Sequence, residues 1–400
     1  MFHIRRGEEV TIKPSISICV VAKNAAQTTK RLFDSLKKFA DRGGDMVLVD
    51  TGSTDGTQDL FRAFGFRVFE EGDRFMQPFP KEVADKINAE ANENGDPPIF
   101  EDGMKFFHFA DARNYAASLA ENDFICNPDA DEELTVFDIP AIEELAKACN
   151  RLSYDFVFSH NPDGTPSVWF RTDTRLSNRK VWFWKGVVHE TLNPLTADRK
   201  ITYVPPHILK IEHYQIPSPT RSNYLAGLSY ACDLEPENDR NLHYYGRELF
   251  YRGFFRTAIK KLRKHVELSK WDLERGQSLV YVGDCYMALK DEDAAVRAWR
   301  QSLDIEPSRR EAWIKLAHYH FTKGDVYRTL THAAAAAALP PVIFYGNSPT
   351  TYTYLPDHYL YWAYHKLGNI DKARDHWLRC LSFEPRNEAF IYDSIYFRRK

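Results

Sequence analysis

The chain is poor in the features that mark several protein classes. Its 400 residues include six cysteines, Cys19, Cys126, Cys149, Cys232, Cys285 and Cys380, each standing alone and none in a C-x-x-C pair. That pattern excludes a zinc module and a disulfide scaffold. It points to buried thiols in a reducing, cytoplasmic setting. Long apolar runs are also missing. The best candidate, Ala333 to Tyr345, is broken by Pro340-Pro341 and is too short to cross a bilayer. Met1 to Pro14 has charges but no apolar stretch of the secretory kind, so neither a signal nor a transmembrane segment is expected. Charge of one sign is lacking as well. A net charge of −3 argues against nucleic acid as the main partner, and the terminal Arg398-Arg399-Lys400 reads as a short solvated tail.

Hydrophobic residues at 44% and charged residues at 27% describe an ordinary globular composition, and the length calls for about two domains. Up to about residue 213, short apolar runs alternate with helical patterns. Ser17–Val21 and Asp45–Val49 read as buried strands. Thr28–Phe39 and Thr57–Phe64 read as helices, the second capped by Asp55 or Thr57. Ala112–Ala120 reads as a helix and Phe124–Cys126 as a strand, with further strands at Phe156–Ser159, Val168–Arg171 and Val181–Trp184. Strand–helix alternation implies a parallel sheet with ligands at the strands' carboxyl ends. Between residues 74 and 105 the pattern breaks, and the polar stretch Asn88–Pro98 reads as an exposed insertion or lid.

Past residue 222 the texture is helical. A turn residue followed five positions on by a small residue recurs at Gly253 and Ala258, Lys290 and Ala295, Gly324 and Thr329, Gly368 and Ala373. The steps are 37, 34 and 44 residues, and Pro307, Pro340 and Pro385 close second helices. Units near 34 residues point to tetratricopeptide-type repeats, with an inserted loop in the 44-residue step. Ile216-Pro217-Ser218-Pro219 is the linker candidate, which sets the expected domains at 1–215 and 216–400.

The strongest local feature is Asp129-Ala130-Asp131-Glu132, directly after a strand. Two carboxylates in D-x-D spacing at the mouth of a parallel sheet can hold a hard divalent cation, although acidic surface turns share the pattern. Val49 to Thr57, V-D-T-G-S-T-D-G-T, follows the second strand; Gly52 and Ser53 let backbone approach a nucleotide, and a capped turn would read the same. The aromatic set Trp169-Phe170 and Trp182-Phe183-Trp184 suits either sugar stacking or, more simply, core packing.

Val20-Val21-Ala22-Lys23-Asn24, the V-D-T-G-S-T-D-G-T element, Phe109-Ala110-Asp111-Ala112-Arg113-Asn114 and D-A-D-E together resemble the family 2 glycosyltransferases of the GT-A fold. Gly186 to Glu190 and Ile211 to Tyr214 are similar to a subgroup with an H-E strand, a downstream H-Y and appended repeats. That subgroup includes peptide S-glycosyltransferases and some lipopolysaccharide-core transferases. The resemblance implies a nucleotide-sugar donor, UDP-linked by default, and Mn2+ or Mg2+ as cofactor. It implies donor contacts from Val21, Asn24, Asp50, Gly52, Ser53, Arg113 and Asp129, and metal ligation by Asp131, Asp129 and His189. Glu190 would be the general base of an inverting transfer to a protein, peptide or glycan acceptor. Asp163 and Asp173 compete for that role, because the E-D pair common in relatives is absent here. His213 would join the metal or phosphate site, or anchor a domain junction. The repeats would hold the acceptor or make a homo-oligomer. Asn127-Pro128 departs from the apolar residues that relatives carry there.

Two other functions compete. A nucleotidyltransferase needs a glycine-rich loop after its first strand, and Ala22 to Ala26 has no glycine. A repeat scaffold with an inactive α/β domain is the alternative of a different class.

Overall fold

A computed structural model describes Lys13, residues 15–160, Gly164, 166–214, 224–342 and 344–397. The linker candidate Ile216–Pro219, Asp163 and the terminal basic cluster lie outside the described residues. The first part of the chain runs β1 (Ile16–Ala22), α1 (Thr29–Asp41), β2 (Asp45–Asp50), α2 (Thr57–Phe64), β3 (Arg67–Glu70), β4 (Met76–Pro78) and α3 (Lys81–Asn94). It continues with β5 (Lys105–Phe107), α4 (Phe109–Ser118), β6 (Phe124–Cys126), β7 (Glu132–Phe137), α5 (Ile139–Ala148), β8 (Arg151–His160) and β9 (Pro166–Asn178). Then come β10 (Trp182–Lys185), β11 (Thr191–Pro194), β12 (Ile201–Tyr203), β13 (Leu209–His213) and α6 (Tyr224–Leu234). Helices follow: α7 (Asp239–Tyr251), α8 (Phe255–Leu268), α9 (Asp272–Ala288), α10 (Glu292–Ile305), α11 (Arg310–Thr322), α12 (Val326–Ala338), α13 (Leu355–Lys366), α14 (Ile370–Phe383) and α15 (Glu388–Tyr392).

Two compact units result: residues 1–79 with 104–227, and residues 80–103 with 228–400. In the first, the sheet order is β3-β2-β1-β6-β9-β8-β13-β7, with β12 beside β8. β3, β2, β1 and β6 are parallel neighbours, while β9 and β7 run against their partners, so the sheet is mostly parallel and Rossmann-like. Alternation along β1 splits its side chains between two layers. Ile16, Ile18 and Val20 pack with Leu32, Leu36 and Phe39 of α1. Cys19 faces the other way, with Ala112 and Ala116 of α4. Each such buried aliphatic contributes about 1.5–3 kcal/mol relative to exposure. All six cysteines are buried and unbridged.

The helical unit is built from pairs α7/α8, α9/α10, α11/α12 and α13/α14, with α7, α9, α11 and α13 also touching in a row. The turn residues that recur in the sequence take left-handed backbone: Gly253 (φ 85°), Lys290 (φ 63°), Gly324 (φ 70°) and Gly368 (φ 75°). Five residues on, Ala258, Ala295, Thr329 and Ala373 are fully buried, because a larger side chain there would part the paired helices. The loop of the 44-residue step returns along the row. Phe344 packs edge-on against Trp271, the residue that caps α9, Tyr345 bonds Glu274, and the Arg309 guanidinium donates to Asn347 at 2.6 Å.

Two expectations are corrected. The Asn88–Pro98 stretch, expected as an exposed insertion or lid, is helical up to Asn94, where it finishes α3, whose Val83, Ala84, Ile87 and Ala91 are buried. Glu90 pairs there with Lys260 and Lys261, and Asp96 accepts the Thr257 N–H at 2.7 Å, at the start of α8. Its polar residues belong to helix ends and ion pairs, which sequence polarity alone does not separate from a loop. The cap of α2 is Gly56 in left-handed backbone, while Asp55 accepts the Thr57 N–H. No helix among the described residues is long and apolar enough to cross a membrane.

A methyl added at Gly283 would lie 2.2 Å from Trp299 Nε1 of α10. Gly283→Ala is expected to cost about 1–3 kcal/mol by overpacking, read as a lower unfolding midpoint in urea.

Candidate active site

Strand order turns at β1: β2 and β3 lie to one side, β6 and β9 to the other. At such a switch point the carboxyl ends of neighbouring strands leave a crevice. Asn24, past the end of β1, has a left-handed backbone (φ 52°), a conformation its short side chain tolerates. It donates its N–H to Ser53 Oγ and accepts the Thr54 N–H on Oδ1, both at 2.8 Å, so the β1 and β2 loops are laced together. Val21 is half-buried at the end of β1. Asp50 is 1% exposed. Its Oδ1 accepts the N–H groups of Gly52 and Ser53 and the amide of Gln58, and its Oδ2 accepts the Ser53 hydroxyl. The carboxylate thus orders its own loop, and Gly52 (φ 91°) supplies a backbone shape that other residues resist.

After β6, Asp129 accepts the Arg113 guanidinium on Oδ1 at 2.8 Å and Arg175 on Oδ2 at 2.5 Å. Arg113 also donates to Glu190 Oε1 at 2.6 Å, so one buried guanidinium joins D-x-D to H-E. Burial works against the Arg113 charge, but Asp129 and Glu190 outweigh it and raise its pKa. Burial likewise raises Asp129, yet Arg113 and Arg175 hold it well below the usual carboxylate range. Glu132 is 1% exposed and also contacts Arg175. Burial pushes it up to about 7, against the pull of Arg175 and with the help of the Asp129 charge. Asn114, beside Arg113 on α4, clamps β10 by bonding both the N–H and the carbonyl of Trp184.

Asp131 meets His213. Its Oδ2 lies 3.1 Å from His213 Nε2, while Nδ1 of that ring faces the Phe158 carbonyl at 3.3 Å. Burial lowers His213, but the bond to Asp131 and its charge prevail and raise it. The contact follows from register: β13 pairs antiparallel with β7, setting His213 opposite Glu132, and the Tyr214 N–H bonds the Asp131 carbonyl at 2.9 Å.

The expected metal set is not assembled. Asp129 is engaged by two arginines, and His189 Nε2 lies 2.7 Å from the Tyr224 hydroxyl. His189-Glu190 is also not on a strand: it closes the turn between β10 and β11, with His189 at φ 51°. Asp173 is bound by Arg151. Trp182 and Trp184 are buried as core, whereas Trp169 is exposed. Asn127 is buried with neither amide atom hydrogen-bonded. Glu132 and Asn114 stand inside the quoted motifs without a role assigned to them, and Arg175 lies outside every motif. β9 carries two arginines, Arg171 and Arg175, and nothing local marks the second.

The fold and its strand-end loops define a Rossmann-like α/β domain with a strand-order switch point between β1 and β6. Residues 17–76 match the model of the glycosyl transferase family 2. An uncharacterized glycosyltransferase of Rickettsia bellii is 25% identical over 183 residues, 44% of this chain and 50% of that protein. One from Rickettsia felis is 27% identical over 183 residues, with 44% and 52% covered. The chain therefore spans about half the length of these curated relatives. Similar solved structures include MamA, at 15% identity and TM-score 0.34 over 44% of this chain and 99% of that one. Pseudomonas aeruginosa PilF follows at 14% and TM-score 0.36, over 43% and 73%.

Arg175→Met leaves Asp129 and Glu132 without their shared cation. Breaking a buried pair costs about 3–5 kcal/mol, and Arg175→Lys should restore part of it. Urea unfolding of both variants measures the difference.

Proposed function

We propose that the chain transfers a sugar from a nucleotide-diphosphate donor to a protein, peptide or glycan acceptor, with inversion. The observation that carries this reading is the single guanidinium of Arg113 binding both Asp129 and Glu190, beside Asp131–His213, in a family 2 domain. The donor lies over the β1 and β2 loops; Asn24, Gly52 and Ser53 meet its nucleoside through the loop that Asp50 orders. Val21 lines that end of the crevice, and Arg113 and Asp129 face the ribose and phosphates.

The residues present fit a divalent cation. Nε2 of His213 lies 3.1 Å from Asp131 Oδ2 while its Nδ1 faces the Phe158 carbonyl, so an imidazole nitrogen and a carboxylate oxygen converge and could ligate one ion. Mn2+ or Mg2+ held there would neutralise charge on the departing diphosphate. Glu190 is the general base, receiving the proton of the acceptor hydroxyl or thiol as that atom attacks the anomeric carbon. Arg113 holds its carboxylate in place through Nε.

Melting the protein with UDP or GDP, with and without Mn2+, tests the donor class. Asp131→Asn should lose the metal-dependent part of the stabilisation. Glu190→Gln should keep it while turnover falls about 10²–10⁴-fold, the usual weight of a general base. No stabilisation of folded protein by any nucleotide would favour a scaffold instead.

A further inference from the structure

The helical unit holds a second group of polar side chains with no part in that reaction. His243 of α7, His265 of α8 and Glu274 of α9 are all buried, and each can place one ligand atom so that the three lie within 4.8 Å of one another. It is the only group of this kind among the described residues. A buried carboxylate is costly unless it is paired, and three successive helices converge on this one.

We propose that these residues form a binding site for Zn2+ or a similar first-row transition metal within the repeats. Two imidazoles and one carboxylate match the preference of such ions. The supporting bonds orient the ligands. Ser278 Oγ, one turn along α9 from Glu274, lies 2.8 Å from Nδ1 of His243 and 2.8 Å from Nδ1 of His265. Ser278 thus holds both rings through Nδ1, and His265 presents Nε2 to the Glu274 carboxylate. His265 Nε2 is 3.1 Å from Glu274 Oε2, close to the ~3.3 Å between ligand atoms of a tetrahedral ion with bonds of about 2.0–2.1 Å. The Tyr345 hydroxyl donates to Glu274 Oε1, leaving Oε2 as the ligating oxygen. A ligating ring presents an unprotonated nitrogen, so metal uptake is coupled to proton movement within the cluster. Three ligands leave a fourth position open. The site also ties the Tyr345 loop to the first helix pairs.

The test uses the full chain. Wild type, Asp131→Asn, His243→Asn and His265→Asn are loaded with Zn2+, desalted and analysed by mass spectrometry for metal per chain. One tightly held Zn2+ is expected in Asp131→Asn, where the proposed donor site is disabled, and none at this position in the two histidine variants. Cobalt supplies a readout that does not depend on variants folding: Co2+ in Asp131→Asn should give tetrahedral visible bands that Zn2+ abolishes. Failure of Asp131→Asn to retain Zn2+ or to show those bands would overturn the site and leave a hydrogen-bond network only. So would equal retention by His265→Asn. Neither result bears on sugar transfer, which the nucleotide melts decide separately.

Discussion

Arg113 is the constraint on which the first unit depends. Its guanidinium is buried, and a buried cation persists only where carboxylates meet it in good geometry. Asp129 and Glu190, 61 residues apart in the chain, supply them. Because the fork is rigid, the loop after β6 and the turn after β10 are fixed relative to α4, and Asn114 pins the same hairpin by its backbone. Arg175 repeats the arrangement from β9, binding Asp129 and Glu132. With Asp129 saturated by two arginines, Asp131 is left to face His213. The division of labour between the two acidic residues of D-x-D is thus a consequence of where two arginines sit.

The helical unit depends on close approach rather than on charge. Each pair turns on a left-handed residue, and a small buried residue on the second helix lets it lie against the first. Lys290 takes this conformation without being glycine, at a cost of order 1–2 kcal/mol. Against that small-residue core the cluster of His243, His265, Glu274 and Ser278 is out of character, and the loop carrying Tyr345 closes over it. The row of α7, α9 and α11 is partly covered by the chain's own residues 344–352, so these helices are not a bare surface along their length.

Much of this was legible in residues alone. Ser17–Val21, Asp45–Val49 and Thr57–Phe64 announce strands and helix by their periodicity, because alternation and the 3.6-residue repeat are local properties. The repeat spacing is legible for the same reason: Gly253, Gly324 and Gly368 mark turns that need positive φ whatever surrounds them. D-A-D-E and the Asp50 loop stand at strand ends, so their place in the sheet follows from order along the chain.

What surrounds those residues was decided by the tertiary structure. Nothing local distinguishes His189, which meets Tyr224, from His213, which meets Asp131; the pairing of β13 with β7 makes that choice. Asn88 to Pro98 reads as loop because helix-end and ion-pairing residues are polar too, and only α8 beside it supplies their partners. Arg175 carries no motif, and its importance comes from two carboxylates that fold onto it. The sequence by itself determined the elements, their order and the loops that emerge at the switch point, since backbone preference and side-chain period act over a few residues. Which carboxylate is bound by arginine and which faces a histidine, and which histidines converge, depends on strand register and helix packing across 16 to 82 residues. Those distances in the chain are bridged only by the fold.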